Sequence, residues 1–309
     1  MPDIMRRGLC RQLTGLAAYA ACSPALLANT PDSKALPLLS KQLPGKSETI
    51  SAIGMGTWIT FDVPDTLSVR RQRTGVLQTF FDLGGQMIDS SPMYGQAEDM
   101  LGHGLARVDQ EGQLFAASKI WTPFAADGRK QMGETEKLWG RDPMDLMYVH
   151  NLLSWRKHLP QIQDWKSEGR IRYTGISTSH GRRHEELESV LKTESIDFIQ
   201  LTLNIDQIQA EDRLLPLAAD RGVAVVINRP FARGALLDKY QVRPLPALAK
   251  ELGCQNWPQY LLLYVISHSA VTCAIPATSK IEHMQENMGT LTLDLPDERT
   301  RSAMRSSVA

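Results

Sequence analysis

Charge of one sign, cysteine and long apolar runs are all scarce in this chain. Its 34 Lys and Arg residues balance 34 Asp and Glu residues, so no net field draws it to polyanions. It also lacks a basic stripe interleaved with aromatics, and nucleic-acid binding is not expected. No apolar run reaches the length of a bilayer span, which argues against membrane integration. Cysteine numbers only four. Cys10 and Cys22 fall near the amino terminus, while Cys254 and Cys273 show neither a CxxC nor a metal-ligand spacing. These last two read as small buried apolar residues, with a single structural disulfide as the alternative. Clustered His and carboxylate ligands are missing as well, so no metal is expected. No GxGxxG leads from the first strand into a helix, which disfavours an open, doubly wound sheet.

What is present is a chain of 309 residues, 42% hydrophobic, long enough to bury a large core. Residues 1–30 stand apart. Arg6, Arg7 and Arg11 precede an uncharged, Ala- and Leu-rich run over residues 13–28, the layout of an export signal and similar to a bacterial twin-arginine leader. The expectation is an exported, periplasmic protein that engages the export machinery, or a cytoplasmic one if the leader is not a signal. Residues 31–309 are then a single domain.

From Ile53 onward, eight short apolar segments rich in Val, Ile and Leu alternate with eight segments of helical period. Strict alternation predicts a parallel (β/α)8 TIM barrel, with strands covered on both faces. Ahead of it, Pro44-Gly45 lies between two short apolar stretches and predicts a β-hairpin closing the barrel bottom.

Chemistry in such a barrel gathers at the carboxyl ends of the strands. Asp89, Lys119 and His150 close the second, third and fourth predicted strands, and Tyr94 follows five residues after Asp89. Each alone has an ordinary structural explanation, such as a turn, a solvated amine or a core imidazole; their co-location is what points to chemistry. A phenol, an amine, a carboxylate and an imidazole suit proton donation to a carbonyl. Here Lys119 is expected to lower the tyrosine pKa, Asp89 to hold Lys119, and His150 to orient the substrate oxygen.

At these motifs the chain resembles the aldo-keto reductases. "GMGTW", "IDSSPMYGQAEDMLGHGL", "SKI", "DLMYVHN", "GRIRYTGIST", "IQLTLN", "RPFARGAL" and "IPATSKIEHMQEN" carry the resemblance from about Leu38 to Thr292. It implies reversible hydride transfer between a nicotinamide dinucleotide, NADPH or NADH, and a small-molecule carbonyl or alcohol. Asp89, Tyr94, Lys119 and His150 form the implied tetrad, with Tyr94 as general acid. Ser177, Thr178 and Gln200 fall where the nicotinamide carboxamide is held, and Asn228 where many members place a stacking aromatic. Arg229, Pro230, Phe231, Arg233, Gly234 and Leu236 match the pyrophosphate loop. Thr278, Ser279, Lys280 and His283 match the region around a 2′-phosphate, and Glu286 and Asn287 the adenine contacts. Thr57 and Ile275 complete the cofactor set. Trp58, Met93, Trp121 and Leu152 are expected to wall the substrate pocket. The alternative is a nicotinamide-binding sensor or accessory subunit on the same barrel.

Overall fold

A computed structural model describes residues 38–110 and 112–308, so the export expectation for residues 1–30 lies outside the described residues. The chain first forms an antiparallel hairpin, β1 (Ser40–Gln42) and β2 (Thr49–Ser51). The parallel strands follow: β3 (Met55–Gly56), β4 (Met87–Asp89), β5 (Phe115–Ile120), β6 (Met144–Val149), β7 (Ile171–Ser177), β8 (Phe198–Thr202), β9 (Ala224–Asn228) and β10 (Cys273–Ala274). They pair in sequence order, each parallel to the next. Isolated parallel bridges, Ile53 to Ala274 and Gly56 to Ala277, bring the first of these strands back to the last. The eight expected strands are therefore all present, in a nearly closed barrel.

The helices between them are α1 (Leu67–Asp82), α2 (Ala97–Leu105), α3 (Ala125–Trp139), α4 (Trp155–Ser167), α5 (His184–Thr193), α6 (Leu214–Asp220), α7 (Ala235–Tyr240), α8 (Ala247–Glu251) and α9 (Trp257–Ile266), with α10 (Ile281–Gly289) and α11 (Glu298–Ser306) after the last strand. Local chemistry starts several of them. Thr66, Asn256 and Asp297 each accept a backbone N–H of the first turn with their side chains, which satisfies donors the helix itself cannot. The short helices α7 and α8, and the terminal α11, were not anticipated by the alternating pattern because they add to the repeat.

Strand side chains alternate between faces, and this sorts the core in two. Outward residues pack under the helices. Inward residues form a second cluster that includes Met87, Phe115, Leu146, Tyr173, Phe198 and Val226, together with Leu43 and Ile50 from the hairpin. The hairpin thus plugs the amino ends of the strands. Phe115, Tyr173 and Phe198 meet at ring-centroid distances of 5.4 to 5.9 Å; truncating one such ring to Ala costs about 3–5 kcal/mol. Gly175 makes room for the layer above, since a Cβ there would lie 2.5 Å from the Tyr148 ring.

Cys254 and Cys273 are free and buried. Among the described residues no helix is long and apolar enough to cross a membrane.

Candidate active site

Counting upward by twos from the inner cluster reaches the functional layer. Met87 leads to Asp89, Phe115 through Ala117 to Lys119, and Phe198 to Gln200, all on strands whose register sets Asp89 opposite Ala117 and Ser177 opposite Gln200. His150, one step past β6, opens a short 3-10 turn, His150–Leu152. The polar residues therefore converge because the pleat repeats every two residues and the strands are in register.

Lys119 is completely buried. Its ammonium donates to Asp89 Oδ2 at 2.5 Å and to the Ser90 carbonyl at 2.7 Å. The other carboxylate oxygen of Asp89 accepts Gln200 Nε2 at 2.8 Å. Burial pushes the Asp89 pKa up and the Lys119 pKa down, and each partner's charge opposes that shift. The ammonium lies 5.2 Å from the centre of the Tyr94 ring, and Tyr94 meets the His150 ring edge to face at 5.6 Å. Burial, then the charge of Lys119, holds the His150 pKa well below its ordinary value. The imidazole is consequently neutral through the neutral range.

One expectation is corrected. The Tyr94 pKa is not lowered; burial, followed by the negative charges of Asp89 and Glu98, pushes it well above its ordinary value. The chief reason is burial of the phenol, and the ammonium nearby is itself compensated at close range by Asp89. Sequence reasoning also missed Glu98. Its carboxylate accepts Ser118 Oγ at 2.7 Å, Thr135 Oγ1 at 3.0 Å and Trp139 Nε1 at 3.1 Å. The signal was present, since Glu98 lies on the face of α2 that buries Leu101 and Leu105, three and seven residues on.

A cleft of about 320 Å³ opens above this layer, lined by Trp58, Met93, Tyr94 and His150 on one side. Thr57, Asp89, Gln200, Asn228, Arg229, Pro230, Phe231, Arg233, Gly234 and Ile275 complete the expected residues at its wall. A second cleft holds Thr278, His283, Glu286 and Asn287. Phe231, Leu237 and Ala277 line both clefts, so the two form one trough. Ser177 lies beneath, accepting the Asn151 N–H at 3.0 Å, and Thr178, Leu236 and Leu152 are buried. Ser279 gives its carbonyl to Arg73, and Lys280 and Trp121 are exposed; these seven lie outside the lining of both clefts. Ile59, Thr60, Asn151, Ser179 and His180 line the first cleft without having been anticipated. Their loops have no sequence signature beyond position after a strand.

The described residues include nine non-glycine positions with positive φ, among them Ile59, Asn151, His180, Arg229 and Arg233. All nine fall in loops that follow strands, at the cleft end of the barrel. Such backbone costs free energy and persists where surroundings enforce it, commonly at binding sites.

The trough suits a dinucleotide. Arg229 Nε and Nη1 and the Thr178 hydroxyl are buried without hydrogen-bond partners, and burial together with the Arg233 charge depresses the Arg229 pKa. Two arginines lining one cleft, the charge of one acting on the other, fit a phosphate-bearing ligand. Asp89, the acid in the lining, is already engaged by Lys119 and Gln200. Arg233 also sits 4.6 Å from the Trp58 ring, spanning the trough between two loops. No group of three or more His, Cys, Asp or Glu among the described residues could hold a metal ion.

A family model described as the aldo/keto reductase family matches residues 52–304. The methylglyoxal reductase YeaE of Escherichia coli is 27% identical over 259 residues, covering 80% of this chain and 87% of that protein. Among solved structures, an aldo-keto reductase from Klebsiella pneumoniae in complex with NADPH superposes with a TM-score of 0.72 at 22% identity, covering 88% of this chain and 96% of the other. The aldo-keto reductase AKR11C1 of Bacillus halodurans, in its holo form, gives 0.71 at 23% identity with the same coverage of 88% and 96%.

Proposed function

The chain belongs to the aldo/keto reductase family, and from that premise we propose that the cleft interconverts an aldehyde or ketone and its alcohol with NADP(H), Tyr94 supplying the proton. A bound nicotinamide gives or takes the hydride. Everything else falls to side chains of this chain. Tyr94 keeps its proton because burial, Asp89 and Glu98 all disfavour the phenolate. A carbonyl oxygen that is becoming an alkoxide is a far stronger base than phenolate, so transfer runs downhill once negative charge develops there. His150, neutral and at the cleft wall, can hydrogen-bond the same oxygen. The pair of Lys119 and Asp89 fixes the floor beneath the phenol, and Arg229 and Arg233 receive the phosphates.

The observation that carries this reading is the meeting of the Tyr94 and His150 rings at the wall of a trough also lined by Arg233 and by Arg229, whose Nε and Nη1 have no partner. The test is a fluorescence titration with NADPH and NADH, followed by a panel of aldehydes and ketones, on the wild type and Tyr94→Phe. Tyr94→Phe should bind cofactor as the wild type does and lose activity by roughly 10²–10⁴-fold, the contribution of a positioned general acid. Absence of turnover in the wild type, or an undiminished rate in the variant, would refute it.

For the first 30 residues we propose an export leader and hence a periplasmic enzyme. The support is the Arg6 and Arg7 pair ahead of the uncharged run over residues 13–28.

A further inference from the structure

Ser91 occupies a place the tetrad does not explain. It is completely buried, two residues past Asp89, at the start of a turn in which the Tyr94 N–H returns to the Ser91 carbonyl at 2.9 Å. Pro92 follows it, at the position where proline presets such a turn. The backbone of Ser91 thus aims Tyr94. Its hydroxyl does something else: Ser91 Oγ lies 2.9 Å from His150 Nδ1 and accepts the Met93 N–H at 3.2 Å.

A neutral imidazole carries one proton, and the partner of one nitrogen decides which nitrogen holds it. A carbonyl or carboxylate beside Nδ1 would place the proton there and leave Nε2 as an acceptor, facing the lone pairs of a substrate carbonyl. A hydroxyl can do the reverse. Ser91 Oγ already receives the Met93 N–H, and the hydrogen-bond partner within reach of its own proton is His150 Nδ1. Turning the bond around would strand the serine proton in a site closed to solvent, which buried polar groups avoid. The ring's remaining nitrogen, Nε2, is not among the buried atoms lacking a partner, and His150 lines the cleft.

We propose that Ser91 is a positioning residue: its hydroxyl donates to His150 Nδ1, keeps the proton on Nε2, and so presents a second hydrogen-bond donor, beside the Tyr94 phenol, to the substrate oxygen. The inference rests on the reading of the cleft as a carbonyl-reducing site. It explains why serine and not an apolar residue is buried here. It also makes the imidazole a donor without making it a cation, so the proton delivered to product comes from Tyr94 alone.

Nitrogen-15 NMR of the histidine-labelled protein tests it directly in the wild type, with no substitution needed. The His150 imidazole should be neutral with a protonated Nε2 and a bare Nδ1. Ser91→Ala should lose that preference and lower kcat roughly ten- to a hundredfold, below the roughly hundred- to thousandfold range for removing a donor to developing negative charge outright. The dissociation constant for NADPH should not move, and Ser91→Thr, which keeps a hydroxyl, should restore both the tautomer and kcat. A wild-type His150 protonated on Nδ1, or a Ser91→Ala enzyme with wild-type tautomer and kcat, overturns the proposal. If instead the wild type shows the Nε2 proton but neither binds NADPH nor turns over any carbonyl, the functional reading fails and the tautomer assignment survives.

Discussion

Replacing Lys119 with methionine removes one half of a buried ion pair, and the structure sets the size and pH dependence of the result. Lys119 is completely buried and donates to both Asp89 and the Ser90 carbonyl. Without it, the Asp89 carboxylate keeps one side-chain donor, Gln200 Nε2 at 2.8 Å. Stranding a buried charge in this way costs about 3–5 kcal/mol. For a domain of this size that lowers the Tm by roughly 6–20 °C, at 2–4 °C per kcal/mol. The penalty has a definite sign with pH. Burial already raises the Asp89 pKa against the pull of Lys119, and deleting the ammonium raises it further. A carboxyl whose folded pKa exceeds its unfolded value, about 3.9, binds its proton first in the folded state. Its favourable contribution is full below the unfolded pKa and is lost as pH rises through the folded one. The gap between wild type and Lys119→Met should therefore be widest near neutrality and shrink steadily on acidification. Urea unfolding at pH 5 and pH 7 measures it, with the double variant Asp89→Asn, Lys119→Met as control. The double variant should recover part of the loss at pH 7 and show little pH dependence in its difference from wild type. A single-variant penalty that is equal at both pH values, or a double variant no more stable than the single, would refute the buried-pair account.

Two shorter tests bear on the trough and the leader. Arg229→Ala and Arg233→Ala should each weaken NADPH by roughly ten- to a hundredfold, equivalent to the 1.5–3 kcal/mol of a charged hydrogen bond, and should flatten the salt dependence of binding; fluorescence titration at two ionic strengths reads both, and an unchanged dissociation constant would remove the arginine in question from the site. Changing Arg6 and Arg7 together to lysine should shift the protein from the periplasmic to the cytoplasmic fraction, and an unaltered distribution would defeat the export proposal.

The barrel was legible because its signal is redundant. Eight β/α units each repeat the same change of period, so an error in any one boundary leaves the count intact. The floor of the site was legible for a related reason. Asp89 ends β4, Lys119 lies one residue short of the end of β5 and His150 directly follows β6, and position at the end of an apolar strand translates directly into position in space. What escaped is whatever depends on loop conformation or on a neighbour's charge. Ile59 and His180 enter the cleft through positive-φ backbone, and neither residue type signals that geometry. Glu98 reads locally as a favourable acid in the first turn of α2, although its spacing to Leu101 and Leu105 marks it as buried. The direction of the Tyr94 shift was misread because its largest cause is burial of the phenol, followed by the nearby carboxylates, and residue spacing does not show how deeply a loop tyrosine is covered.

That misreading alters how the site divides its work. A phenol with a lowered pKa would be a partly ionised acid, useful in both directions but often missing its proton when a carbonyl arrives. The phenol found here is held protonated by burial, Asp89 and Glu98, and the imidazole beside it is held neutral by burial and Lys119. Glu98 is satisfied by three donors and Asp89 by Lys119 and Gln200, so the chamber around the reacting oxygen presents donors and almost no uncompensated charge. Positive charge lies along the trough, at Arg229, whose Nε and Nη1 have no partner, and at Arg233. Separating the two follows from what each must do. Phosphates are permanently anionic and reward fixed cations, whereas a carbonyl becomes anionic only as it reacts, and an environment of neutral donors favours that transient charge without gripping an anionic ground state.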